Sequence, residues 1–333
     1  VHCEITKLVL CGQTTKGIAM VPIFMIGTQR SGSNLLRLML NQLKEISSPH
    51  PPHIFERIFP LLDNYGDLDI EPNFAQLVDD VCKLIELNPV EWEGIELDRN
   101  NIISRCKKEK SLAAIYGAVY DIYAETHNAR TWCCKSLVNI NYMDVIEEYF
   151  DQPKYIYLYR DGRDVALSFQ KAVVGEKHIY NIALDWTRTQ EKAIKLMNRI
   201  NKDRVFCVSY EKLTNETRAV AQDLCDFLGV KYTESMLDYY KTSEAKNAAN
   251  SSKLWRNVTN PVMANNCGKY KTQMSEDDLR IFESIAGNVL DKLGYERDLI
   301  HKGDELLFTK NDIEYFNHLN DLKKSEITTA VSY

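Results

Sequence analysis

Apolar residues in this chain gather into short dense runs, and most runs lead through a polar turn into a stretch of helical period. Pro22 to Ile26 is the first such run and reads as a buried strand. Gly27 to Asn34 is polar and glycine-punctuated, after which Leu35, Leu36, Leu38, Met39 and Leu40 recur at helical spacing. Ile46 to Ser48 is a short strand, and the prolines and histidines that follow forbid regular structure. Arg130 to Ser136, Tyr155 to Tyr159 and Val205 to Val208 are further strands; they run into Lys135, Arg160 and Tyr210 respectively. Helical periodicity marks residues 55–65, 74–87, 111–127, 141–150, 164–172, 214–228, 275–293 and 311–323, with another helix after His178. Gly229 and Gly294 stop two of them, and Ser275 with Asp278 opens one as an approximate capping box. Residues 241–273 read as polar and irregular. Strands alternating with helices predict an α/β fold, a central parallel sheet flanked by helices. A mostly helical insertion spans about 55–130. Without internal repeat or low-complexity linker, one domain is expected over residues 20–300. Residues 1–19 read as an extension from an overlong start, and 301–333 as a C-terminal helix and tail.

Composition changes this picture little. At 333 residues, 44% hydrophobic and 26% charged, the chain is an ordinary globular protein. The net charge of −6 argues against nucleic-acid binding, and an anionic ligand would need a local basic cluster. Cys3, Cys11, Cys82, Cys106, Cys133, Cys134, Cys207, Cys225 and Cys267 include no CxxC pair. They read as buried reduced thiols in a cytoplasmic protein, with no zinc site. Cys133 and Cys134, adjacent on a strand, would face opposite sides of the sheet. No apolar stretch approaches the ~18 residues of a membrane span. Tyr116, Tyr120 and Tyr123, on one face of their helix, read as core rather than ligand wall.

Candidate chemistry concentrates where strands end. The first turn, Gln29-Arg30-Ser31-Gly32-Ser33-Asn34, sits between a strand and a helix and points backbone N–H groups and the helix N-terminus at one place, a geometry that favours an anion. It is not a nucleotide-triphosphate loop, since its cation Arg30 precedes Gly32 instead of following it. Arg160, at the end of another strand, offers a bidentate fork to phosphate, and Ser168 in the next helix adds a hydroxyl.

R-S-G-S-N-L-L resembles the 5′-phosphosulfate loop of the sulfotransferase family, and R-D-G-R-D-V-A-L-S, with Arg160 and Ser168, resembles that family's 3′-phosphate motif. Lys135-Ser136 matches its active-site lysine strand, Tyr210-Glu211 its element near the adenine, and Gly268-Lys269-Tyr270 its closing segment. The resemblance runs from about Pro22 to Tyr295. It implies a P-loop-like sulfotransferase fold, the helical insertion lying over the acceptor site. It also implies transfer of a sulfuryl group from 3′-phosphoadenosine 5′-phosphosulfate (PAPS), leaving PAP, to a hydroxyl of a small molecule, lipid, sterol or glycan. No metal is expected. Gln29, Arg30, Ser31, Gly32, Ser33, Asn34, Arg160, Ser168, Tyr210 and Lys269 would bind the donor, with Lys135 catalytic.

One position departs from the cytosolic small-molecule branch, whose basic histidine stands two residues after the strand-end lysine: here it is Leu137. The protein-tyrosine and heparan branches use a glutamate in the loop after the second strand. Here that loop reads S-P-H-P-P-H, with Glu56 farther along, so either His50 or His53 is the expected base. His127 and His178 are lesser candidates. Loss of the base would leave a non-catalytic PAPS- or PAP-binding module, and magnesium with ATP would instead mark a P-loop kinase-like phosphotransferase. Neither the acceptor nor the oligomeric state is legible.

Overall fold

A computed structural model describes residues 20–251, 253–264 and 266–331; the expected extension, with Cys3 and Cys11, lies outside them. Its centre is a five-stranded sheet of β1 (Ile23–Gly27), β2 (Ile46–Ser47), β3 (Thr131–Cys134), β4 (Lys154–Tyr159) and β5 (Val205–Ser209). The order is β2-β3-β1-β4-β5, and every pairing is parallel. In register, Phe24 lies beside Cys134 and Tyr155, and Tyr159 beside Ser209.

Helices cover both faces, so the inner strands are apolar throughout instead of alternating. Phe24 and Ile26 enter one core with Trp132, Cys134, Tyr155 and Tyr157, against helices Glu71–Glu86 and Leu112–Thr126. Ile23 and Met25 enter the other with Cys133, Ile156 and Leu158, against helices Ser33–Leu40 and Thr217–Leu228. The adjacent cysteines do face opposite sides. Tyr116, Tyr120 and Tyr123 are buried in the first core, two of them donating to the Cys134 sulfur. A third core joins helices Gly162–Gln170, Ile179–Arg199 and Glu276–Lys292 around Trp186 and Phe282.

Several boundaries differ from the periodicity reading. The expected 55–65 helix is α-helical only over Ile54–Ile58 and continues as a 3-10 turn over Phe59–Tyr65. The 214–228 helix is two, Tyr210–Asn215 and Thr217–Leu228, the second closed by Gly229 at φ 72°. Arg99–Arg105 and Ser243–Ser251 are helices in stretches that show no such period. The C-terminal helix is longer than expected, Lys310–Val331, and packs on the start of the Ile179–Arg199 helix through Phe316 and His178. Among the described residues no helix is long and apolar enough to cross a membrane.

The strand order has one functional consequence. The chain leaves β1 toward β2 and β3 on one side, then returns past β1 to β4 and β5 on the other. The loops after β3, β1 and β4 therefore splay apart at one end of the sheet, the crevice where open α/β sheets hold ligands.

Candidate active site

The loop after β1 is shaped by left-handed backbone. Gly27 at φ 138° lies so close to β4 that a Cβ would stand 2.1 Å from the Leu158 carbonyl oxygen. Gly32, at φ 87° before the first helix, would drive a Cβ to 2.4 Å from the Tyr210 ring. Between them Arg30 is itself left-handed, φ 71°, a conformation that costs a non-glycine residue about 1 kcal/mol or more. That twist turns its guanidinium toward the helix after β4, where Nε donates to Ser168 Oγ at 2.9 Å. Arg160 completes the link by donating from a terminal nitrogen to the Arg30 carbonyl oxygen at 3.0 Å. The two phosphate-type motifs, 130 residues apart in sequence, thus form one structure.

Lys135 leaves the end of β3 into the same crevice, is 8% exposed, and donates to Asn34 Oδ1 at 3.1 Å. Burial, then the positive charge of Arg37 and Arg30, lowers its ammonium to a pKa of about 7, with Cys134 pulling the other way. Arg30 is lowered as well, by burial and by Arg160. Among the described residues, neither Arg30 nor Lys135 has a carboxylate within ion-pair distance. Arg37, by contrast, is paired with Glu244, and Arg160 has Asp164 at 3.5 Å. Ser31 Oγ, Asn34 Nδ2 and Arg160 Nε are buried around them without hydrogen-bond partners. Buried cations and bare donors converging on one place call for an anion.

Most of these groups line a cavity of about 1170 Å³. Gln29, Arg30, Gly32, Ser33, Asn34, Lys135, Arg160, Ser168, Tyr210 and Lys269 all line it; Ser31, wholly buried behind the loop, does not. Tyr210 lies beneath Arg160, whose guanidinium carbon is 4.5 Å from the ring centre. Its hydroxyl accepts from Asn266 Nδ2 at 2.8 Å, and Asn266 Oδ1 accepts from Lys269 at 2.6 Å. Asp164 fixes this closing segment by accepting from the backbone N–H of Gly268 at 2.7 Å and Tyr270 at 3.0 Å. Asn266 and Trp255, whose ring centre lies 5.9 Å from the Lys135 ammonium, are site residues that sequence reasoning missed. They sit in the polar stretch read as irregular and carry no local signature.

The cavity wall also carries aliphatic and aromatic side chains, Leu87, Leu137, Val138, Leu167, Phe169, Trp186 and Met263. The insertion contributes Glu56, Arg57 and the 84–89 stretch to it, while the tyrosine stripe stays in the core. Both expected histidines line the cavity but differ in surroundings. His50 is 6% exposed, its ring centre 4.8 Å from that of Trp255. Burial, then Lys135, Arg37 and His53, lowers its pKa to about 2, so it is neutral and very weakly basic. His53, at φ 62°, sets Nδ1 3.0 Å from Ser136 Oγ and 3.0 Å from Glu56 Oε2. The hydrogen bond from His53 holds the Glu56 carboxyl below its usual range. An ionised Glu56 assigns the proton to Nδ1 and leaves Nε2 as an acceptor. His127 and His178 lie elsewhere: His127 packs on Tyr123, and His178 caps the Ile179–Arg199 helix by accepting from Tyr180 N at 3.3 Å.

The protein-tyrosine sulfotransferase of Drosophila melanogaster is 24% identical over 283 residues, 82% of this chain and 51% of that protein. The chain spans about half or less of the length of the curated relatives it matches. Among solved structures, the sulfotransferase domain of the Synechococcus PCC 7002 olefin synthase superposes with a TM-score of 0.54 at 21% identity, covering 80% of this chain and 95% of that one. The sulfotransferase domain of the curacin biosynthetic pathway gives 0.55 at 21% identity, with 84% and 99% covered. The sulfotransferase family model matches residues 22–234, from β1 through β5 and beyond, and the chain belongs to the sulfotransferase family.

Proposed function

We propose that this chain transfers a sulfuryl group from PAPS to a hydroxyl of an acceptor with a substantial apolar body. The observation that carries the reading is a pair of cations, half-buried Arg30 and buried Lys135, without a carboxylate partner among the described residues, Arg30 being tied through Ser168 and Arg160 to a second phosphate-type loop. PAPS carries anionic groups at both ends of one adenosine. The β1 loop with Lys135 suits the 5′ end, and Arg160 with Ser168 suits the 3′-phosphate. Tyr210 and Lys269 line the same cavity.

PAPS supplies the sulfuryl group and a 5′-phosphate leaving oxygen on which charge grows during transfer. Arg30, Lys135 and the loop N–H groups would hold that end and would stabilise the charge, much as positioning and electrostatics dominate phosphoryl transfer. The acceptor proton goes to His53 Nε2. Glu56 and Ser136 hold Nδ1, fixing the ring's tautomer and supporting the imidazolium as it forms. His50, against Trp255, shapes the wall.

The test pairs donor binding with turnover. His53→Ala lowers transfer by about 10²–10⁴-fold with PAP affinity unchanged, whereas His50→Phe retains most activity. Full turnover in His53→Ala rejects the base assignment. Failure of PAP to bind the wild-type protein, measured by calorimetry, rejects the function. PAP binding without transfer to any member of a broad hydroxyl panel would leave a binding module in its place.

A further inference from the structure

The loop 171–177 runs along the rim of the cavity, and Lys171, Val174, Gly175 and Glu176 line it. Val173 and Val174 are 52% and 42% exposed, adjacent apolar side chains held in solvent at the rim. Nothing in the loop's own sequence would keep them there, yet it is tied down twice.

From inside, Lys177 is buried and its ammonium gathers three backbone carbonyls: Phe169 at 3.1 Å, Val174 at 2.7 Å and Gly175 at 3.0 Å. The loop is thereby wound around one charge. From outside, Asn320 of the Lys310–Val331 helix is 3% exposed, and its Oδ1 accepts from two consecutive backbone N–H groups, Lys177 at 2.8 Å and His178 at 3.0 Å. Its Nδ2 donates to Glu176, which also accepts from Lys324. The Phe316 ring lies on the His178 ring, 4.8 Å between centres, and closes the same joint. The helix that carries Asn320 begins 76 residues after the span matched by the family model, residues 22–234.

We infer that the C-terminal helix is the support of an acceptor-recognition loop, with Asn320 as its positioning residue and Val173–Val174 as the apolar contact it presents. A polar side chain that serves two backbone donors and one carboxylate at once leaves both N–H groups unsatisfied when truncated, and Glu176 with Lys324 as its remaining partner, so the joint is expected to loosen as a unit. Exposed valines beside an aliphatic wall select an acceptor with an apolar body that extends past the cavity mouth. The inference rests on the sulfotransferase reading for the identity of the neighbouring donor end, and its test separates the two.

The probe is 1-decanol, titrated against the full chain saturated with PAP and followed by the fluorescence of Trp186 and Trp255, which line the cavity. Wild-type protein binds it. Asn320→Ala and Val174→Asp weaken binding at least fivefold, while PAP affinity stays within twofold. Asn320→Asp retains the acceptor for both N–H groups but opposes Glu176, and falls between. Amide exchange at Lys177 and His178 quickens at least tenfold in Asn320→Ala, a change Val174→Asp does not produce. Decanol binding that is absent in the wild type, or equal in all four proteins, overturns the loop assignment even where PAP binds normally. Loss of PAP binding in the wild type overturns the donor reading alone, since decanol titration without PAP still reports on the loop.

Discussion

An ammonium buried beside two guanidinium groups opposes folding. The ordinary lysine value is 10.5, and in the folded chain burial and Arg37 bring Lys135 to about 7. Below that pH both folded and unfolded chains hold the proton, and the full cost of burying the charge is present. As pH rises toward 10.5, the unfolded chain still binds a proton that the folded one has released, so this site's contribution to stability rises with pH. Lys135→Met is therefore expected to stabilise the empty protein, more at about pH 6 than at about pH 9, in denaturant titrations at the two values. Under the proposed function, the same arrangement makes donor binding proton-linked. A doubly anionic nucleotide end restores the ammonium, so PAP binding near pH 8 takes up close to one proton, read from calorimetry in buffers of different ionisation enthalpy. Lys135→Met abolishes that uptake.

At the level of elements, the site depends on how three strand ends and one closing segment are fastened. Asp164 is the fastening: it accepts from two backbone N–H groups of the closing segment and lies 3.5 Å from Arg160. Asp164→Ala frees the segment and leaves Arg160 without that carboxylate, and PAP affinity is expected to fall tenfold or more, about 1.4 kcal/mol, by calorimetry. The turns after β1 and β4 were legible in sequence because their signal is local: an apolar run, then Gly32 or Gly162 with an arginine beside it. The helix Ser243–Ser251 was not, because its reasons are distant. Ala245 and Ala248 are fully buried against the second core, and Glu244 reaches Arg37 and Asn41, more than 200 residues away. The contrast between His50 and His53 was equally hidden, since it turns on Ser136, 83 residues on, and on Lys135 and Arg37.

Across the molecule, the turn after β4 is anchored by a buried charge network. Arg163 is 2% exposed and pairs with Asp161, Glu283 and Asp298, and Glu283 also accepts from the backbone N–H groups of residues 298, 299 and 300. Removing Glu283 takes one carboxylate from a buried guanidinium and leaves three backbone N–H groups without their acceptor, so Glu283→Ala is expected to cost about 3–5 kcal/mol, seen as a lower midpoint in urea. This wiring ties the Glu276–Lys292 helix and the chain after it to the turn that presents Arg160. The sheet order has a different bearing, on biosynthesis. Among the described residues β1 pairs with β3 and β4, and β3 begins at Thr131, 104 residues after β1 ends at Gly27. At ribosomal elongation rates of about 5–20 residues per second, the nascent chain carries a naked apolar strand for roughly 5–20 s before either neighbour is synthesised. Holdase chaperones have that window in which to engage the segment around Phe24, and expression without them is expected to yield aggregates nucleated there.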